Sequence, residues 1–305
     1  MLPANKSKPF TDYELDAMAD ALVESGNYRI QRRIRPRPKI EAPAGIALKL
    51  ALFVDVETTG LDHQTDEIIE LAIVPFTYGP DGHIYEVKDP FQRFHQPKKP
   101  ISAEITRLTG ITDEMVAGHA IDPTEVEAFA PDAVLVIAHN ASFDRRFLEK
   151  LAPGFALKAW ACSQSQIDWA GEGIEGTRLS YLVAGVGYFY EKHRAVNDCL
   201  AAIELLAAPL PVSAVTGLTH LLENARKPTW RIWAENSPFD LKDVLKARGY
   251  RWNPDGTPFP KAWFIDVLDG DHDAEICFLQ KEIYQREVQL LTRKIDAFNR
   301  FSDRN

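Results

Sequence analysis

Apolar residues run almost unbroken through LKLALFVDVE, Leu48 to Glu57, and IIELAIVPF, Ile68 to Phe76, which predicts two largely buried strands joined by the polar turn LDHQTDE. A weaker run, Glu86 to Phe94, extends the meander as a third strand. The segment ISAEITRLTGITDEMVAG predicts a helix ending near Gly110 and then a short one. Asp122-Pro-Thr-Glu125 opens another, with Asp122 as cap and Pro123 in the first position. AVLVIAHN, Ala133 to Asn140, returns to strand and passes directly into the helix ASFDRRFLEKLA. Further helices are expected in TRLSYLVAGVG, from Asn197 to Ala208, and from Gly217 to Ala225. Strands followed by helices and a further strand imply a crossover and an α/β layered domain.

Two regions flank this domain. At the start, Leu15, Met18, Ala19, Leu22 and Val23 recur at helical spacing behind a Thr11/Glu14 capping box, with Gly26 ending the helix. The sequence leaves open whether that helix lies on the main domain or on a partner. From Thr229 the texture changes, and four of the six tryptophans (Trp230, Trp233, Trp252 and Trp263) fall close together. The strand TWRIWAE is followed by a helix capped by Ser237, begun by Pro238 and ended by Gly249. YRW, a turn at Pro254 to Gly256 and the strand KAWFIDV come next, and a last helix is expected from Ala274 to Phe298. The chain is thus divided into residues 1–45 (helix and basic linker), 46–226 (the α/β domain) and 227–305 (a small aromatic-rich α+β module). Lys242, Lys246, Arg248, Arg251 and Lys261 interleave with the aromatics, as in single-strand stacking platforms, although aromatics in so small a module also serve as its core.

Composition narrows the function classes. With 305 residues, 45% hydrophobic and 26% charged, the chain has the make-up of an ordinary globular protein. Its beginning lacks the apolar core of a signal peptide and no apolar run spans a bilayer, so a cytoplasmic protein without membrane contact is expected. Cys162, Cys199 and Cys277 are scattered, which implies buried free thiols and no structural zinc. The net charge of -9 disfavours a general polyanion binder. Locally, YRIQRRIRPRPK holds six basic residues and no acidic one. It would contact phosphates or, as its Arg-Pro pairs favour, form an extended solvated linker. GEGIEG, Gly171 to Gly176, follows no clear parallel-type strand and carries Glu172 and Glu175 where a pyrophosphate would approach, so it is a loop.

The candidate chemistry begins in FVDVETTGLD. Asp55 and Glu57 stand two apart on a strand and so project from one face. Like charges held that close need a cation, and a divalent metal is the obvious one; taken alone, the pair also fits the solvent face of a strand. Three further stretches matter: TRLTGIT from Thr106, HNASFD ending in Asp144 on a helix's first turn, and HRAVND from His193 to Asp198.

DVETTG, LTGIT, HNASFD and HRAVND in this order resemble the DEDDh-type 3′ to 5′ exonucleases of the DnaQ-like group, the family of the proofreading subunit of bacterial replicative DNA polymerase. Arg194 stands where the tyrosine variant of that superfamily has its Tyr, so the histidine variant fits. The resemblance implies an RNase H-like mixed sheet flanked by helices. It also implies two Mg²⁺ or Mn²⁺ ions, with Asp55 bridging both, Glu57 and Asp198 completing one site and Asp144 holding the other. His193 would be the general base, a role suited to a side chain that titrates near neutral pH. Thr58, Thr59, Gly60 and Leu61 would meet the terminal nucleotide, and Asn140 and Phe143 the penultimate region. Two function classes follow: an exonuclease acting on single-stranded or frayed DNA, or RNA, in repair, proofreading or turnover; or a non-catalytic protein that binds nucleic acid or a polymerase.

Overall fold

The computed structural model describes residues 9–254 and 259–304. Helix α1 (Asp12–Glu24) carries the expected capping box: Thr11 Oγ1 accepts from Glu14 N, and Glu14 reaches back to Thr11 N. None of its residues is buried, so its apolar face, Leu15, Met18 and Leu22 included, stays exposed. Ion pairs hold it instead, from Arg32 to Asp16 and Asp20 and from Arg35 to Asp16. The basic segment beyond is extended, as expected, but it is not a solvated linker. Strand β1 (Arg32–Arg33) lies along the body of the protein, and Arg33, Arg37 and Lys39 pair with Glu191, Glu204 and Glu86.

The larger sheet is built on β2 (Lys49–Thr58) and β3 (Ile68–Tyr78), antiparallel over their whole length. Ten of the eleven β3 residues are buried, which explains its continuous apolar reading: helices or loops cover both faces. The weaker run resolves into two short strands, β4 (Ile84–Val87) and β5 (Phe91–Phe94), both paired with β3. Helices α2 (Ala103–Thr109), α3 (Asp113–Val116) and α4 (Pro123–Glu127) follow, with Gly110 in the left-handed conformation between the first two and Asp122 capping the third. The crossover brings β6 (Leu135–Ala138) parallel to β2; α5 (Ala141–Leu151) and β7 (Trp160–Cys162), parallel to β6, complete the order β4-β3-β2-β6-β7.

Helix α6 (Leu179–Gly185), β8 (Tyr188–Phe189, paired with β1), α7 (Ala195–Ala207) and α8 (Gly217–Arg226) close the domain. Helix α7 starts two residues earlier than its sequence suggested. Alternation along β2 separates two cores. Ala51 and Phe53 pack with Leu182, Ile203 and Leu218 of α6, α7 and α8, while Leu52, Val54 and Val56 pack with Phe147 and Leu148 of α5 and with Trp160. This is the mixed sheet flanked by helices that the motifs imply. Cys162 and Cys199 are buried free thiols, but Cys277 is only half-buried.

The C-terminal module has its own antiparallel sheet, formed by β9 (Thr229–Ala234), β10 (Arg251–Trp252), β11 (Trp263–Leu268) and β12 (Thr292–Ile295) in the order β10-β11-β9-β12. Ile232, Leu245, Tyr250, Leu279 and Ile283 form its core. Helices α9 (Lys242–Ala247) and α10 (His272–Phe278) belong to it. Two expectations fail here. Ser237 and Pro238 do not start a capped helix, because a 3₁₀ turn, Phe239–Leu241, precedes α9 and no side chain caps either. The long last helix is also absent. After α10 a π-helical turn, Leu279–Tyr284, ends at Gln285 in the left-handed region, and the chain then pairs with β9 as β12. Pairing satisfies the open edge of β9 and buries Ile295, which outweighs the helical spacing of Leu291 and Ile295. The turn expected at Pro254 to Gly256 lies partly outside the described residues.

The last residues leave the module and return to the α/β domain. Trp160 N donates to Ala297 O, beside β7, and the fully buried Arg145 of α5 donates to the carbonyls of Phe298 and Arg300 while pairing with Glu149. Removing a buried cation that several acceptors depend on is strongly destabilising. Arg145→Ala is therefore expected to lower unfolding stability by about 3 kcal/mol in urea titrations. Arg304→Ala, whose half-exposed side chain also reaches Glu149, should cost less than about 1 kcal/mol. Equal effects of the two substitutions would refute the proposed role of Arg145.

Candidate active site

The parallel pairing of β6 with β2 stops at Phe53 and Ile137, so the edge of β2 is open beyond it. Asp144, on the first turn of α5, fills that opening by accepting from Val56 N at 3.2 Å. Asp55 and Glu57 face the other side, towards α7, whose first turn presents Asp198. Asp55, Glu57 and Asp198 bring carboxylate oxygens within 4.8 Å of one another. Asp144 is outside that group but close enough to act electrostatically on Asp55 and Glu57. The opening pair is thus half-buried in an acidic cluster and is not a solvated strand face.

Two features fix Asp198. The Tyr190 hydroxyl donates to Oδ1 at 2.8 Å, and Arg194 N donates to Oδ2 at 3.2 Å. His193, just before the helix, has φ +63, a conformation uncommon for a residue with a Cβ, and this turn sets it against Asp198. His139, from the HNASFD stretch, is engaged elsewhere. Its ring nitrogens meet Ser163 Oγ and Thr177 O, so it ties the end of β6 to neighbouring loops.

Two participants were not singled out in the sequence. Glu70, fully buried on β3, lies opposite Glu57 in the register, pairs with Arg194 at 3.1 Å and accepts from Ala195 N. It thereby ties the start of α7 to the sheet. Its one signal was a lone carboxylate inside an apolar strand. Tyr190 had no such signal, because only the fold brings it to Asp198.

Burial holds the acids towards their neutral forms. The Asp55 carboxyl is raised well above the usual range, first by burial and then by the charges of Asp144, Asp198, Glu57 and Glu70. Burial and the charges of Asp198 and Glu70 push Glu57 up to about 8. Burial raises Asp144 to about 7 against the hydrogen bond from Val56, and raises Asp198 against the hydrogen bonds it accepts. Clustered carboxylates, Asp144 buried and the others half-buried, with few cations near them form a donor set suited to a divalent cation.

The remaining sequence candidates surround this cluster unevenly. Thr58 is buried, its hydroxyl donating to Gly60 O. Thr59 Oγ1 donates to Asp66, whose other oxygen accepts from Asp62 N. A Cβ at Gly60 would come within 2.4 Å of the Asp66 carboxylate, so any other residue there would displace the side chain that holds Thr59 and Asp62. Leu61 is 86% exposed beside it. Asn140, before α5, is exposed, whereas Phe143 packs on the α5 core, 5.0 Å from the Phe147 ring.

Comparison with known proteins adds four findings. The family model of the RNase T exonucleases matches residues 52–206. PolC-type DNA polymerase III of Staphylococcus aureus is 45% identical over 112 residues, which take in 35% of this chain and 7% of that protein; the chain thus spans a small fraction of that relative's length. Exonuclease X, solved in complex with 5′ overhanging duplex DNA, is 26% identical with a TM-score of 0.40 over 55% of this chain and 99% of that one. A metal-free complex of E. coli exonuclease I with single-stranded DNA is 15% identical with a TM-score of 0.48, covering 72% and 62%.

The raised acids make metal-free stability depend on pH. An unfolded chain releases these protons near 4.5 for Glu57 and 3.8 for Asp144, whereas the folded protein keeps them to about 8 and about 7. Between those values the unfolded state binds fewer protons, so stability falls as pH rises. Thermal melts in EDTA should show a Tm that declines from pH 5 to pH 8. Glu57→Gln should flatten the decline and stabilise the metal-free protein at pH 8 by on the order of 2–4 kcal/mol. A Tm that climbs over this range would contradict the electrostatic account.

Proposed function

The chain belongs to the RNase T exonuclease family in its DEDDh form, and on that premise we propose that it is a metal-dependent 3′ to 5′ exonuclease acting on single-stranded or frayed ends, with DNA as the substrate. The observation that carries this reading is the convergence of Asp55, Glu57 and Asp198 within 4.8 Å at the end of β2, with Asp144 buried beside them. Similarity to a segment of a DNA polymerase supports DNA over RNA, and with it proofreading or repair, a cytoplasmic setting and a polymerase partner. Among the described residues, no helix is long and apolar enough to cross a membrane.

In this reading Asp55, Glu57, Asp144 and Asp198 hold two Mg²⁺ or Mn²⁺ ions. Bound there, the ions supply charge to offset that of the phosphodiester and the leaving oxygen. His193 takes the proton from the attacking water, and its position depends on the Glu70–Arg194 pair that anchors the next turn. Tyr190 and Arg194 N orient the Asp198 carboxylate, and the closed Thr59–Asp66 loop presents Leu61 to the terminal base.

Shortening of 5′-labelled oligonucleotides tests each part. Asp55→Asn should reduce kcat by on the order of 10³-fold or more, and EDTA should abolish turnover in a way that Mg²⁺ or Mn²⁺ restores. His193→Ala should lower kcat by about 10²- to 10⁴-fold and leave the metal requirement in place. A ladder unaltered by Asp55→Asn in the folded protein would overturn the assignment, and faster shortening of a matched RNA would overturn the choice of DNA.

A further inference from the structure

A cleft of about 760 Å³ separates the α/β domain from the C-terminal sheet. Asn140 and Ser142 at the start of α5 line one side, and Arg251, Phe264 and Ile295 of β10, β11 and β12 line the other. The same first turn of α5 carries Asp144 to Val56 N, so the cleft opens beside the acidic cluster.

Its charge is opposite to that of the chain. Arg146, Lys227, Arg231, Arg251 and Arg300 line it against two carboxylates, Asp168 and Asp266, in a protein of net charge -9. Arg146 is matched by Asp303, while Arg231 and Arg251 share the single carboxylate of Asp266. Lys227 donates to the neutral Asn224 side chain, and Arg300 donates to the carbonyls of Ala225 and Lys227. Among the described residues no carboxylate therefore lies at hydrogen-bond distance from either, although Asp266 and Asp296 act on Arg300 from farther away. The half-buried Phe264 ring lies between the two sequence-distant arginines, with the guanidinium carbons of Arg231 and Arg251 at 4.7 and 4.9 Å from its centroid.

A positive groove with an aromatic among arginines is the chemistry that follows a phosphate backbone and stacks bases. We propose that this cleft carries the 5′-ward part of a single-stranded nucleic acid whose 3′ end lies at the acidic cluster, an inference that rests on the exonuclease reading. The C-terminal sheet then extends the substrate site beyond the nucleotides that the α/β domain reaches alone.

Fluorescence anisotropy with labelled dT20 and dT4, on the full chain in EDTA, tests the cleft without turnover. The unaltered protein should bind dT20 at least tenfold more tightly than dT4. Lys227→Ala with Arg251→Ala should bring dT20 to within about threefold of dT4. The same pair should make the slope of log affinity against log salt shallower by about 1.4, since each single-strand phosphate contact contributes about 0.7. Lys227→Ala alone, at an exposed position, should change the slope by about half as much. Lys281→Ala with Arg286→Ala, the same charge removed outside the cleft lining, should alter neither quantity. Retention of dT20 affinity and slope in the Lys227/Arg251 variant, or an equal loss in the control pair, would overturn the proposal. If the unaltered protein failed to shorten any oligonucleotide, the exonuclease reading would fall, while the anisotropy result would still decide the cleft.

Discussion

Mutual repulsion among buried carboxylates at the end of β2 is the constraint around which this structure is arranged. At an effective dielectric of about 20, two like charges some 5 Å apart repel by roughly 3 kcal/mol, and the cluster contains several such pairs. One cation answers part of it: Arg194, joined to Glu70 from the first turn of α7. That pair neutralises the acid that the register places opposite Glu57 and also fixes the helix that delivers Asp198. Among the described residues, Asp55, Glu57, Asp144 and Asp198 form no salt bridge. Their proton affinities are raised first by burial and, for Asp55, Glu57 and Asp144, then by the charges of neighbouring acids.

Holding such a cluster together requires a rigid scaffold. Helices on both faces of the sheet supply it, since α7 brings Asp198 to one side of β2 and α5 brings Asp144 to the other. The C-terminal tail braces α5 from behind through Arg145 and reaches the loop that follows Leu61, where Asp303 meets His63. The tail thus links the Thr59–Asp66 loop, the Asp144 helix and the C-terminal sheet, and it lines the cleft beside them.

Much of this was legible in the residues. Continuous apolar runs marked β2 and β3, and the short motifs named the acids that the fold brings together at the end of β2. Asp55 and Glu57 could be paired from strand periodicity alone, whereas Asp144 and Asp198 joined them only through the resemblance of their motifs. Phe143, expected from the resemblance to meet the penultimate nucleotide, is partly buried against the core around α5.

What only the tertiary structure decided shares one physical cause: partners far apart in sequence. Glu70 reads as an oddity in an apolar strand until the register sets it against Glu57 and Arg194. The basic segment resembled a free linker until Glu86, Glu191 and Glu204, contributed by other elements, took up its cations. The expected last helix gave way to β12 because an open strand edge outweighed local helical spacing. By itself the sequence determined the site's residue types and the sheet that bears them. Long-range pairing decided which acids share a proton-rich cluster and where the chain leaves a positive path beside it.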